Sequence, residues 1–208
     1  MADQETLDRL RGLVAAVGPP VVSFSTRTVP SGFPDLDERL GGWPSPGVVE
    51  ISGFVGSGRL SLVIPTVVLR TKAAEPVVLV DPLAMVHAPG WPGVDPRYLL
   101  VIRPPPHHAA WAAEQVASSG AVGLVLLLDP PRLGRAGARL MRAAERGGST
   151  LLILSERSEK SLPAPLRLEV NQGVARVLRW RGGSHGQVFE LPVSPPLALP
   201  ALVDDVSG

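Results

Sequence analysis

The chain has 208 residues, of which 45% are hydrophobic and 19% charged, and its formal net charge is +1. This balance is typical of a globular domain and excludes a strongly basic chain, so any nucleic-acid contact must come from a local patch. The absence of cysteine excludes disulfides and cysteine catalysis, and the four histidines show no metal-ligand spacing. The polar first ten residues and the short apolar runs predict a cytoplasmic protein without membrane contact.

The first predicted element is an amphipathic helix in the segment QETLDRLRGLVAAVG. Its apolar residues fall on one helical stripe, and Gly18 followed by two prolines predicts where the helix stops. The stripe consists of Leu7, Leu10, Val14 and Val17. A short extended segment, VVSF, ends at Phe24, and PDLDERLGG predicts a second, short helix that ends at Gly41 or Gly42.

Four apolar runs follow, GVVEISG, PVVLVDP, VGLVLLLDP and TLLILSE, each too short for an ordinary helix. Runs without polar alternation suit strands that are buried on both faces of a parallel sheet. Predicted helices over 60–72, 108–119 and 134–146 lie between the runs. This order predicts an α/β fold with a mostly parallel sheet flanked by helices.

The end of the chain has a different pattern. LRLEV, VARVLRW and GQVFELPV alternate more clearly, and RGGSHG is typical of a turn, which together predict a C-terminal antiparallel hairpin or meander at one sheet edge. We therefore expect three parts: an N-terminal helix and arm over 1–30, a core over 31–193, and a flexible tail over 194–208.

The segment ISGFVGSGRLS has the frame of a phosphate-binding P-loop, G-x-x-x-x-G-K-[ST]. Gly53 and Gly58 keep that frame, and Gly56 adds conformational freedom. Arg59 replaces the lysine, however, and Leu60 replaces the residue whose hydroxyl would bind magnesium. The loop lies between a predicted strand and a predicted helix, which is the context that the motif requires.

A second signal is Asp129, which ends an apolar strand where P-loop proteins place a magnesium-ordering carboxylate. In collinear order, PSGFPDLDERLGGWPSPGVVEISGFVGSGRLSL, PVVLVDPLAMVHAPGWPGVDPRYLLVIRPP and SSGAVGLVLLLDP resemble successive parts of a RecA-type core. Within that superfamily the chain is most similar to the ImuA family, in size, in motif order and in its RWRGG hairpin. The resemblance covers most of the chain and rests on the order of the motifs.

The resemblance implies a RecA-like P-loop core and a role in SOS-inducible, mutagenic translesion DNA synthesis. It implies an accessory protein that binds RecA, an ImuB-like member of the polymerase family and an error-prone replicative-type polymerase. Direct contact with DNA stays open. No cofactor is expected.

Four departures from the pattern predict that the chain does not hydrolyse ATP. Arg59 is bulkier and planar where a compact ammonium is needed. Leu60 has no hydroxyl, and Ser61 lies about 100° further around the helix. The resemblance places the catalytic glutamate at Leu83, and Pro65 is expected to kink the helix after the loop.

Residual binding of ATP or phosphate by the loop stays open, because backbone amides bind phosphate without help from particular side chains. The candidate residues are Gly53, Gly56, Ser57, Gly58, Arg59, Leu60, Ser61 and Asp129. The bland alternative, which we favour, is that the glycines serve a tight strand-to-helix turn. In that alternative Asp129 caps nearby backbone rather than holding magnesium.

Arginines recur at spacings of three and four residues near the third predicted helix, which places them on one stripe if the whole segment is helical. They are Arg132, Arg135, Arg139, Arg142 and Arg146. This stripe is either a surface for DNA or an acidic partner, or simply a solvated helix face. A second basic group, Arg179, Trp180 and Arg181, offers a base-stacking aromatic or an edge aromatic packed on the sheet.

The N-terminal helix and arm, with Phe24, resemble the segment through which RecA reaches a neighbouring subunit. They are candidates for self-association or for docking on RecA, with packing on the chain's own core as the alternative. Two rival functions stay open: an active RecA-like, DNA-dependent ATPase, and a SulA-like division inhibitor that binds FtsZ.

Overall fold

The computed structural model describes residues 27–87, 91–159 and 161–181, and the backbone of 190–192. Residues 1–26 of the predicted N-terminal helix and arm, and the predicted tail, lie outside the described residues. So do the docking candidates Leu7, Leu10, Val14, Val17 and Phe24.

The described chain contains ten strands and four helices. The strands are β1 Thr28–Val29, β2 Trp43–Pro44, β3 Gly47–Ser52, β4 Val77–Val80, β5 Leu99–Ile102, β6 Leu124–Leu128, β7 Thr150–Ser155, β8 Leu166–Asn171, β9 Val174–Trp180 and β10 Glu190–Pro192. The helices are α1 Pro34–Leu40, α2 Arg59–Lys72, α3 Ala109–Ser118 and α4 Ala136–Gly147. Two short 3₁₀ turns, Pro96–Tyr98 and Pro106–His108, precede β5 and α3.

Eight of the described strands form one sheet in the order β10-β9-β8-β3-β7-β6-β4-β5. The six strands from β8 to β5 pair in parallel, whereas β9 and β10 pair antiparallel at one edge. β1 and β2 form a separate antiparallel pair. The predicted α/β class, the mostly parallel sheet and the C-terminal antiparallel hairpin are therefore confirmed.

Apolar side chains pack on both faces of this sheet. Leucine and valine residues of α1 and α2 bury one face, and the alanine-rich faces of α3 and α4 bury the other. Successive residues of a strand point to opposite faces, so Leu126 of β6 joins the first cluster and Leu127 joins the second. Two-sided burial explains why β3, β4, β6 and β7 are continuous apolar runs in the sequence.

Within the described ranges the predicted helices form with small shifts at their ends, and α2 continues through Pro65 from Arg59 to Lys72. The strand β5, which pairs in parallel with β4, was missed by the sequence analysis. No helix in the described ranges combines the length and the hydropathy of a membrane span.

Candidate functional site

The glycine-rich loop between β3 and α2 is held in place by backbone contacts. The Gly53 amide donates to the Ser155 carbonyl at 3.0 Å, and a Cβ added to Gly53 would lie 2.4 Å from the Val170 carbonyl oxygen. Gly56 and Gly58 have φ values of 84° and 102°, which glycine adopts without strain. The backbone of this loop therefore favours glycine at all three positions, and it does so equally for a structural turn and for a phosphate-binding loop.

A bidentate ion pair joins the start of α2 to the end of β6. Arg59 donates from Nη1 to Oδ1 of Asp129 and from Nη2 to Oδ2, both at 2.7 Å. The Arg59 residue is 6% exposed, and the Asp129 side chain is 19% exposed. Both carboxylate oxygens and both terminal guanidinium nitrogens are engaged, so the pair is pre-organised and charge-assisted.

The observed role of Asp129 corrects the expectation that it caps nearby backbone. Its carboxylate binds the Arg59 side chain, while its own amide donates to the Leu154 carbonyl at 2.8 Å. Asp129 also has a φ of 37°, which is uncommon for a residue with a side chain. Asp tolerates this left-handed conformation better than most residues, and there the backbone aims the carboxylate at the arginine.

An apolar pocket of about 220 Å³ lies beside the ion pair. Gly56, Gly58 and Ser61 contribute to its wall, together with Arg59 and Asp129. Leu60 is partly buried and also packs against the first core cluster. Two of the residues that line this pocket depart from the P-loop motif. Leu60 stands where the motif has a magnesium ligand, and Arg59 is already paired with Asp129.

Large apolar side chains are exposed at this pocket: Val55, Leu83 and Met85 line it, and Phe54 precedes Val55 in the same loop. They come from the loop after β3 and from the loop after β4, and their exposed fractions are 67% for Phe54, 57% for Val55, 49% for Leu83 and 54% for Met85. We call these four residues the apolar rim. Exposed clusters of this kind are typical of interaction sites. Leu83 stands where the resemblance places a catalytic glutamate, so this loop presents hydrocarbon where hydrolysis would need a carboxylate.

The loop after β4 is positioned by Asp81, which is 1% exposed. Its carboxylate accepts hydrogen bonds from the amides of Met85 at 3.1 Å and Val86 at 3.0 Å. Arg103 approaches the same carboxylate at 3.7 Å and donates to the Val86 carbonyl at 3.0 Å. Asp81 therefore organises the rim loop.

A wider cleft of about 840 Å³ continues from the apolar rim. It lies between the loops that follow β6 and β7. On its floor Glu50, 1% exposed, accepts hydrogen bonds from the Ser158 hydroxyl at 3.0 Å and from the Glu159 amide. Arg167 places its Nε 3.2 Å from the same carboxylate. Glu50 thus ties the loop after β7 to the central strand β3.

Glu159 ties the two loops of the cleft together. Its carboxylate accepts hydrogen bonds from the Leu133 amide at 2.8 Å, the Gly134 amide at 2.7 Å and the Ser161 hydroxyl at 3.0 Å. Burial disfavours the charged form, but these bonds and the nearby Arg132 outweigh it, so the pKa of the Glu159 carboxyl is lowered from its usual value. The carboxylate is therefore charged at neutral pH and fixes the shape of the cleft.

The arginine stripe is only partly formed. The helix α4 begins at Ala136, so Arg132 and Arg135 precede it, which corrects the expectation of one continuous helical stripe. Arg132 instead lines the cleft. The remaining arginines are exposed on the outer face of α4; they are Arg139, Arg142 and Arg146.

Two contacts weaken the case for the basic residues as nucleic-acid ligands. The Arg139 Nε donates to the Glu114 carboxylate of α3 at 3.0 Å. Trp180 is partly buried against the first core cluster, which favours the packed edge aromatic over a stacking platform. Arg179 and Arg181 beside it are exposed.

The sequence analysis missed the apolar rim and also missed Glu50 with its buried partners. One signal pointed to Glu50, since it is the single charged residue within the otherwise apolar strand GVVEIS. A carboxylate buried in a central strand requires partners. Its partners come from residues more than a hundred positions away, and local patterns could not reveal them.

The chain matches no protein-family model, and no curated protein matches it significantly.

Proposed function

We propose that the protein is an accessory factor that acts through protein contacts rather than ATP hydrolysis, in SOS-inducible translesion DNA synthesis with RecA and partner polymerases. The observation that carries the non-hydrolytic part is the Arg59–Asp129 ion pair. The partners come from the resemblance to the ImuA family in the order of sequence motifs.

The ion pair disfavours magnesium–nucleotide chemistry for two reasons. A strand-end carboxylate that orders magnesium must offer an oxygen to the ion or to its water, but both Asp129 oxygens accept from Arg59. A P-loop cation must reach the β- and γ-phosphates, but the Arg59 guanidinium points to the carboxylate instead. Opening the pair would leave a largely buried charge without its partner, which costs several kcal/mol (about 3–5 in fully buried cases).

The surroundings of the loop favour contact with a polypeptide over nucleotide hydrolysis. Phe54, Val55, Leu83 and Met85 expose hydrocarbon where a hydrolytic site needs polar groups and ordered water. Aromatic and methionine side chains are enriched in protein interfaces.

The non-hydrolytic part is tested by nucleotide turnover and binding. The wild-type protein is expected to show no magnesium-dependent ATP hydrolysis, with or without single-stranded DNA. The matched control is Arg59→Lys with Leu60→Thr and Leu83→Glu, which restores the three side-chain types that the motif needs. Turnover by the wild type that is lost in Arg59→Ala would instead establish the rival ATPase.

The partner part is tested separately by a pull-down of RecA and the error-prone polymerases with the full-length protein, with and without DNA. Retention of RecA and at least one polymerase supports the proposal. Absence of all of them contradicts it, and division arrest on overexpression through FtsZ would favour the SulA-like rival.

A further inference from the structure

We propose that the apolar rim and the adjoining cleft form a peptide-binding groove whose occupant is the chain's own segment 197–205, bound within the same molecule. The groove and the segment match in position, in apolar character and in charge. The proposal does not depend on the proposed function.

The groove has two connected parts. The pocket of about 220 Å³ and the cleft of about 840 Å³ share the rim residues Val55, Leu83 and Met85, and both reach Asp129. The pocket is lined mainly by apolar groups and is large enough for a single aliphatic side chain. The cleft adds polar groups from the loops after β6 and β7. A groove with an apolar anchor pocket and a polar extension suits a peptide segment better than a compact polar ligand.

The charges in the groove favour an acidic occupant. The carboxylates of Glu50, Asp129 and Glu159 are already held by arginine, amide or hydroxyl partners. The exposed charged residues that line the cleft are Arg132 and Arg157, from two different loops, and Glu156, so exposed positive charges outnumber negative ones by one. Two guanidiniums beside an apolar pocket fit a segment with large aliphatic side chains followed by two carboxylates.

The segment 197–205, LALPALVDD, has that pattern. Leu197, Leu199 and Leu202 supply aliphatic anchors, and Asp204 and Asp205 follow them. It is a stretch of the chain in which regularly spaced leucines are followed directly by two adjacent aspartates. Its composition therefore complements both parts of the groove.

The described chain also leads toward the groove. β10 pairs antiparallel with β9, and β9 pairs antiparallel with β8, so β10 runs in the same direction as β3 and β7. Pro192, the last residue of β10, therefore lies on the side of the sheet where the parallel strands end and where the cleft opens. The sheet order puts three strand spacings between β10 and β3 and five between β10 and β6, or about 15–25 Å. Ten residues beyond Pro192 can span roughly 33 Å, which is enough to reach the rim.

The test uses the absence of cysteine from the chain. In the full-length protein, Met85→Cys is combined with Leu202→Cys, and the rate of intramolecular crosslinking by a short thiol reagent is measured. The control combines Leu202→Cys with Ala121→Cys. Ala121 is exposed and precedes β6, so it lies on the side of the sheet where the parallel strands begin. The rim pair is expected to crosslink about tenfold faster than the control pair, at a rate independent of protein concentration.

A charge exchange makes the test specific. Arg132→Glu with Arg157→Glu is expected to slow crosslinking of the rim pair several-fold, and adding Asp204→Lys with Asp205→Lys is expected to restore it. Equal rates for the rim and control pairs would overturn the proposal. Crosslinks that form only between molecules, which would indicate a second copy as occupant, would also overturn it.

Discussion

At the scale of single residues, the most informative change from the P-loop pattern is the lysine-to-arginine replacement. A lysine at position 59 would present one ammonium, whereas Arg59 presents a planar fork that matches both oxygens of Asp129. Arg59 thus stands where the P-loop pattern has a ligand-binding lysine, and it crosslinks α2 to the end of β6. The neighbouring Leu60 completes that conversion by packing on the core.

This view predicts that Asp129 contributes to stability. Asp129→Asn leaves the Arg59 charge largely buried and half-paired, so we expect the free energy of unfolding to fall by about 2–3 kcal/mol, below the value for a fully buried pair. Urea denaturation followed by circular dichroism measures the change. The control is Asp95→Asn, which breaks an ion pair with an arginine that is 79% exposed and should change little.

A compensating variant separates the ion pair from general damage. Arg59→Met with Asp129→Leu replaces both charges by hydrocarbon, and such replacements are often neutral or stabilising. We expect it to regain most of the stability lost in Asp129→Asn. If Asp129→Asn and Asp95→Asn cost the same, the pair does not have the structural role that its geometry indicates.

At the scale of elements, the strongest sequence signals were those with a physical cause inside one segment. Apolar runs predicted β3, β4, β6 and β7, because two-sided burial disfavours polar residues in such strands, with Glu50 of β3 as an exception that needs buried partners. The edge strand β5 was missed, since it is short, partly exposed and preceded by a proline-rich stretch. Helix ends moved by one or two residues, as expected where caps decide them.

The candidate site was less predictable, because its contacts join segments that are far apart in the chain. The substitutions at Arg59, Leu60 and Leu83 are visible in the sequence and draw attention to the loops after β3 and β4. The bond from Arg59 to Asp129 joins residues seventy positions apart, and which partner each would choose depends on the three-dimensional arrangement. The apolar rim likewise arises because two loops converge.

A close contact between α3 and α4 gives a prediction at this scale. A Cβ on Gly147 would lie 1.9 Å from the Ala117 carbonyl oxygen, which also accepts the Ser149 hydroxyl at 3.1 Å. Gly147→Ala should therefore destabilise the protein by about 1–3 kcal/mol, although alanine favours helices intrinsically. Thermal or urea unfolding would measure this change. Gly123→Ala is the control, because its Cβ would meet nothing within 4 Å; equal effects would contradict the tight packing.

At the scale of the whole molecule, one sheet supports two apolar clusters that share every central strand. The loops that carry the candidate site all follow the carboxyl ends of parallel strands, where open α/β sheets place their ligands. The strands β8 and β9 contribute buried side chains to the first cluster, but β3, β4, β6 and β7 contribute to both, so losing either helical layer exposes one face of these shared strands. The layers are therefore expected to unfold together.

Neighbouring residues of β6 provide the test. Leu126 and Leu127 are both 0% exposed but point to opposite clusters. Replacing either with alanine is expected to cost about 2–5 kcal/mol, because each leaves a cavity in a closely packed layer. Circular dichroism and tryptophan fluorescence should report one coincident transition for both variants. Trp91, Trp111 and Trp180 are replaced by phenylalanine, so that Trp43, buried in the first cluster, is the single fluorescent tryptophan. If Leu127→Ala shifts only the circular-dichroism transition and leaves the Trp43 signal unchanged, the two layers are separate cooperative units and the shared sheet does not couple them.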